Sequence, residues 1–149
     1  MEGVNFPIPE TIPHWQLFAH DSDIGVRGFG ATLAEAFEQA AIALNAMVTE
    51  PHLIEALEPT IIHCAANDPD FLFMDWLNAV IYEMVVNKML FSKFEITIQD
   101  LNLHAKIWGE PIDRERHQPA VEPKGTTFTE LKVMKLPPNI WVAQCVVDV

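Results

Sequence analysis

The sequence predicts an α+β domain in which two helices pack on a mixed, mostly antiparallel β-sheet. Three observations carry that reading. Two segments with apolar residues at helical spacing open on a helix-capping residue, Thr32 for the first and Asp68 for the second. Other segments alternate apolar and polar residues with period two, most clearly from Lys93 to Ile107. Half of the 149 residues are hydrophobic, enough to build a core without staples.

Residues 1–14 contain Pro7, Pro9 and Pro13 and no period, so they read as a tail, with the domain at 15–149. Trp15 to Phe18 is a short apolar strand. Ile24 to Gly30 is a second, and its interleaved Gly25, Gly28 and Gly30 fit close backbone approach. A turn between them carries Asp21, Ser22 and Asp23 at its tip. Thr32-x-x-Glu35 is a capping box, in which the hydroxyl caps one amide and the carboxylate reaches back to another. Leu33, Phe37, Ala40, Ala41, Leu44 and Met47 then form one helical face, and its alanines let it lie close to a sheet. Pro51 stops it.

Within Glu55 to Ala66, the run Ile61 to Cys64 reads as a buried strand. Asp68-Pro69 starts the second helix, with Asp as cap and Pro at the first helical position. Phe71, Leu72, Met74, Leu77, Ile81, Met84 and Val85 make a wide apolar face that ends near Asn87. This helix is the more hydrophobic of the two and is expected to be the more buried. Phe94, Ile96 and Ile98, a turn at Gln99-Asp100, and Leu101, Leu103, Ala105 and Ile107 form a hairpin with one wet face. Gly109 to Gly125 reads as a long irregular polar loop, and a loop of that length in a small domain points to function. Thr126 to Leu136 and Asn139 to Val149 read as two final strands joined across Pro137-Pro138-Asn139.

Lys plus Arg number 9 against 21 Asp plus Glu, a net charge of −12. Phosphate contacts need clustered cations, so stable direct nucleic-acid binding is not expected. The balance suits a bound cation or a basic partner. Cys64 and Cys145 lie far apart with no C-x-x-C pairing, which argues against a zinc knuckle or a thiol switch. No basic patch precedes an apolar run at the N-terminus, and no apolar stretch reaches the roughly 20 residues of a membrane span. The expected compartment is the cytoplasm.

His20-Asp21-Ser22-Asp23-Ile24-Gly25 places two carboxylates and an imidazole within four positions. Such a run is either a turn tip, where Asp bonds to nearby amides, or a ligand set for a hard cation. Asp148 ends the otherwise apolar run from Trp141 to Val147. A carboxylate buried there would need a partner, so Asp148 reads either as an exposed strand end or as a partner that the fold brings to Asp23. Glu110, Arg116, His117 and Lys124 lie in the long loop and read either as a solvated mixed-charge face or as a contact surface for a partner or a nucleotide.

The chain resembles the archeases from Trp15 to Val149. The resemblance rests on His20-x-x-Asp23-Ile24-Gly25, Thr32-Leu33-x-Glu35-Ala36-Phe37 and Asp75-Trp76-Leu77-Asn78. It continues through Leu90-Phe91-Ser92-x-Phe94, Gly109-Glu110-Pro111-x-Asp113-x-Glu115-Arg116-His117 and Trp141-Val142-Ala143-Gln144-Cys145-Val146-Val147-Asp148-Val149. After the long loop the chain keeps Lys124 and has Thr129 where archeases have His. The resemblance implies a cytoplasmic accessory protein of an RtcB-type RNA ligase in tRNA splicing and RNA repair. That ligase joins 2′,3′-cyclic or 3′-phosphate ends to a 5′-hydroxyl. The accessory protein promotes guanylylation of the ligase and its repeated turnover, and a chaperone role is a second implication. The resemblance also implies a divalent-cation site at Asp23, Asp148 and a backbone or terminal oxygen of Val149, with Ca²⁺ first and Mg²⁺ or Mn²⁺ as alternatives. A metal-dependent phosphoester hydrolase is the competing enzyme reading, but no clear nucleophile and base pair stands out.

Overall fold

A computed structural model describes residues 7–149. The first six residues of the expected tail lie outside the described residues. Residues 7–13 carry no helix or strand, and the first strand, β1 (His14–His20), starts on the last residue of the expected tail. The chain turns through Asp21 and Ser22 into β2 (Asp23–Gly30), with His20 opposite Asp23. Asp21 takes a φ of 52°, which its short polar side chain tolerates. The far edge of β2 pairs with β8 (Ile140–Asp148). The other edge of β8 is shared by β7 (Lys132–Leu136) and the two-residue β6 (Gly125–Thr126).

A second sheet has the order β3 (Glu58–Ala65), β5 (Asn102–Pro111), β4 (Met89–Gln99). The α+β class stands. The sheet divides into two, and all the strand pairings described are antiparallel.

The first helix, α1 (Leu33–Ala46), lies against β1, β2 and β8 of one sheet and against β4 of the other. Its alanines make this close approach feasible. A Cβ on Gly28 would lie 2.2 Å from the Ala36 carbonyl oxygen and 2.4 Å from the Ala40 nitrogen, so helix backbone rests on strand backbone. The Thr32 hydroxyl accepts from the Glu35 N–H at 3.1 Å, as the capping box requires. The Glu35 carboxylate reaches one residue further back than expected and accepts from the Ala31 N–H at 2.7 Å. Asn45 is fully enclosed and accepts the Phe91 N–H at 2.9 Å, beside the irregularity in β4 between Phe91 and Lys93.

The second helix, α2 (Pro69–Val85), is capped by Asp68, whose carboxylate accepts from the Phe71 N–H at 2.8 Å. Trp76 donates its indole N–H to the Phe37 carbonyl at 3.0 Å and ties the two helices together. The expectation that α2 is the more buried helix is corrected to near equality. Seven of the 14 residues of α1 are buried, against eight of 17 in α2. The cause is topology: α1 lies between two sheets, whereas α2 keeps an open face on which Phe71 is 50% and Tyr82 56% exposed. Hydrophobicity sets what a helix can bury, not how many neighbours the fold gives it.

Three boundaries also move. The hairpin turn is Asp100-Leu101, with φ of 52° and 58°, one residue later than expected and with the two positive angles of a type I′ turn. β5 continues through Gly109, Glu110 and Pro111, because Leu90 and Phe91 on β4 remain available to pair with them. The expected strand from Thr126 to Leu136 is interrupted by a turn in which the Leu131 N–H donates to the Phe128 carbonyl and Glu130 has a φ of 55°.

Candidate functional site

β2 and β8 are antiparallel with Ile24 opposite Val147. Continuing that register by one residue sets Asp23 beside Asp148. The Val149 N–H donates to Asp23 Oδ1 at 3.3 Å. Across the other edge of β8, Gly125 faces Asp148, and the Lys124 N–H donates to the Asp148 carbonyl at 2.7 Å. Asn78 on α2 accepts the Thr126 N–H on Oδ1 at 3.0 Å and fastens β6 to the helix. Asp23, Asp148, Val149 and Lys124 therefore meet at one end of the five-stranded sheet. Asp148 and Lys124 are exposed there, and Asp23 and Val149 are half-buried.

The donors at this junction are hard oxygens: two carboxylates and the oxygens of Val149. They fit an oxygen-preferring divalent cation. Among the described residues, no group of three or more His, Cys, Asp or Glu side chains converges to hold a metal. Main-chain oxygen, water or a partner would have to complete the shell. Beside the junction, the Thr126 hydroxyl oxygen is buried with no hydrogen-bond partner. His20 lies at the β1–β2 turn with Nδ1 3.8 Å from Asp21 Oδ2; its side chain is half-buried and that of Asp21 is open to solvent.

The loop residues separate into two groups. Lys124 joins the junction. Glu110 and His117 are buried, at 5% and 1% exposure, so they offer no surface of their own. Glu110 forms a charge-assisted hydrogen bond to Arg116 and accepts the Glu55 N–H at 2.7 Å. His117 Nδ1 accepts the Asp113 N–H at 2.9 Å, so its proton sits on Nε2 and is donated to Glu110 Oε2 at 3.0 Å. Burial pushes the Glu110 carboxyl up, but the bonds from Arg116, Glu55 and His117 and the Arg116 charge outweigh it and hold it at about 2.

Arg116 reaches further and donates to the Leu53 carbonyl at 2.7 Å. It sits on α3 (Arg114–His117), one helical turn whose N-terminus is capped by Asp113. The Thr49 hydroxyl donates to the His117 carbonyl at 2.6 Å and anchors that turn to the end of α1. This knot fixes the path of the chain leading to Lys124, and Arg116 and Asp113 are the parts of it that face solvent.

Sequence reasoning assigned no role to Asn78. The available signal was a polar residue at helical spacing from Asp75 on an otherwise apolar helix. Its bond to Thr126 appears only when β6 is placed against α2.

Residues 15–149 match the model of the Archease protein family. The chain is 34% identical over 139 residues to the protein archease of Pyrococcus abyssi, covering 91% of this chain and 98% of that protein. It is 32% identical over 137 residues to the protein archease of Sulfurisphaera tokodaii, with the same coverage of 91% and 98%. The solution structure of Methanobacterium thermoautotrophicum protein 1598 superposes with a TM-score of 0.74 at 26% identity, covering 93% of this chain and all of that one.

Proposed function

The chain belongs to the archease family, and from that premise we propose that it is a divalent-cation-binding accessory protein of an RtcB-type RNA ligase in tRNA splicing and RNA repair. It promotes guanylylation of the ligase and its repeated turnover, and performs no joining itself. The single observation that carries this reading is the convergence of Asp23, Asp148, Val149 and Lys124 on one sheet end.

Asp23 and Asp148, with an oxygen of Val149, would hold the cation, with Ca²⁺ first and Mg²⁺ or Mn²⁺ as alternatives. Such a cation screens phosphate charge during nucleotide transfer. Asp23 Oδ1 already accepts the Val149 N–H, which orients its carboxylate and leaves Oδ2 for the ligand. Lys124 is held in place through its own main chain, so its ammonium is free to meet a phosphate or a carboxylate on the ligase. The exposure of Asp148 and Lys124 suits a site completed by a partner. The net charge of −12 favours a protein partner over RNA as the direct contact.

The test measures incorporation of radiolabelled GTP into a cognate RtcB-type ligase, together with RNA joining. Substoichiometric protein should raise GMP transfer and convert joining to multiple turnover, and the protein alone should join nothing. Full stimulation by the Asp23→Ala/Asp148→Ala double variant would remove the cation from the mechanism. Hydrolysis of a phosphoester by the protein alone, with no effect on the ligase, would replace the activator reading with an enzyme.

A further inference from the structure

The open face of α2 is aromatic and acidic. Phe71, Asp75, Asn78, Tyr82 and Val86 recur at helical spacing and are all exposed. Phe71, Tyr82 and Val86 are 50%, 56% and 54% exposed. Phe128, from the turn between β6 and β7, is 69% exposed and sets its ring edge-on to Phe71 with centroids 6.1 Å apart. Rigid aromatic groups facing water in this way are the anchors that protein interfaces use.

Charge decides which occupant fits. The charged side chains of α2 are Asp70, Asp75 and Glu83, all acidic, and the helix carries no Lys, Arg or His. Two copies of the chain meeting here would set these carboxylates against one another, and a nucleic acid would add its own negative charge. A protein surface with an apolar pocket rimmed by Lys and Arg satisfies both features of the face. The face is also continuous with the cation junction, because Asn78 within the stripe holds Thr126, two residues from Lys124.

We infer that the exposed face of α2, with Phe128, is the docking surface for a protein partner that offers an apolar pocket with a basic rim. This inference rests on the proposed function, under which that partner is the RNA ligase. Phe71 and Phe128 enter the pocket, Asp75 pairs with the rim, and docking brings Lys124 and Asp148 against the partner.

The experiment measures calorimetric binding to a cognate RtcB-type ligase alongside stimulation of GMP transfer. It compares wild type, Phe71→Ser/Phe128→Ser, Asp75→Asn and Asp23→Ala/Asp148→Ala, each checked for folding by circular dichroism. The Phe double variant should raise Kd roughly tenfold or more and recover full stimulation at saturation. Asp75→Asn should weaken binding and reduce its salt dependence. The Asp23/Asp148 variant should bind and fail to stimulate. An unchanged Kd for the Phe variant overturns the docking surface, whatever the stimulation. Binding that depends on Phe71 and Phe128 without stimulation upholds the surface and refutes the activator role. Absence of wild-type binding overturns both. A wild-type dimer that Phe71→Ser/Phe128→Ser dissolves assigns the face to a second copy and overturns the inference.

Discussion

The Val149 N–H donates to Asp23 Oδ1 at 3.3 Å, a contact between residues 126 positions apart in the sequence. It follows from the pairing of β2 with β8. Once Ile24 lies opposite Val147, the first residue of β2 and the last residue of β8 are brought to the same place. A carboxylate at the start of one strand and a carboxylate at the end of its neighbour thereby become one cluster of hard oxygens.

Under the proposed function, Asp23 and Asp148 are both needed to hold the cation. Asp23→Ala and Asp148→Ala should each abolish Ca²⁺ and Mg²⁺ binding and leave the protein folded, because both sit at strand ends with solvent access. Deleting Asp148 and Val149 should do the same. Saturating cation should stabilise the wild type by ~2.7 kcal/mol at a hundred-fold excess over Kd. Titration calorimetry and thermal unfolding check this, and unchanged affinity in both point variants would sink the assignment.

Asn78 acts through β6. Asn78→Ala removes the acceptor of the Thr126 N–H and should cost about 1 kcal/mol. The Thr126 amide should exchange faster, and stimulation of the ligase should fall because Lys124 is held less firmly. Lys124→Ala should lower stimulation with no loss of stability, since its structural bond is made by the main chain. Amide exchange and urea unfolding separate the two variants. Normal exchange at Thr126 in Asn78→Ala would show that the bond does not hold the strand.

Glu110 should make stability fall in acid. Its folded carboxyl lies at about 2 against an ordinary 4.5: burial opposes ionisation, and the bonds from Arg116, Glu55 and His117 prevail. A depressed folded pKa contributes stability that is fully present above the unfolded value. That stability is lost as pH falls from about 4.5 towards 2, because the unfolded chain takes up the proton first. The shift corresponds to at most a few kcal/mol. Glu110→Gln should be less stable at neutral pH and should flatten the dependence across this window. Urea unfolding at pH 7 and pH 3 gives the comparison, and equal acid loss in wild type and Glu110→Gln would refute it.

The sequence by itself determined the local elements and marked Asp23 and Asp148 as the acidic residues that the fold brings together. Capping chemistry marked both helix starts at Thr32 and Asp68, and those signals are local because a cap bonds to amides three residues away. Period-two alternation marked the β4–β5 hairpin. The acidic turn before Ile24 and the isolated Asp148 stood out as polar groups on apolar strands. Tertiary structure alone decided how these parts are shared out. It divided the strands into two sheets and put α1 between them. It turned Glu110 and His117 from loop residues into a buried knot and left Phe71 in water. Each of those outcomes depends on which distant strand or helix comes to lie alongside. Periodicity reports the shape of one segment, whereas burial is a property of the neighbours that the whole chain brings to it.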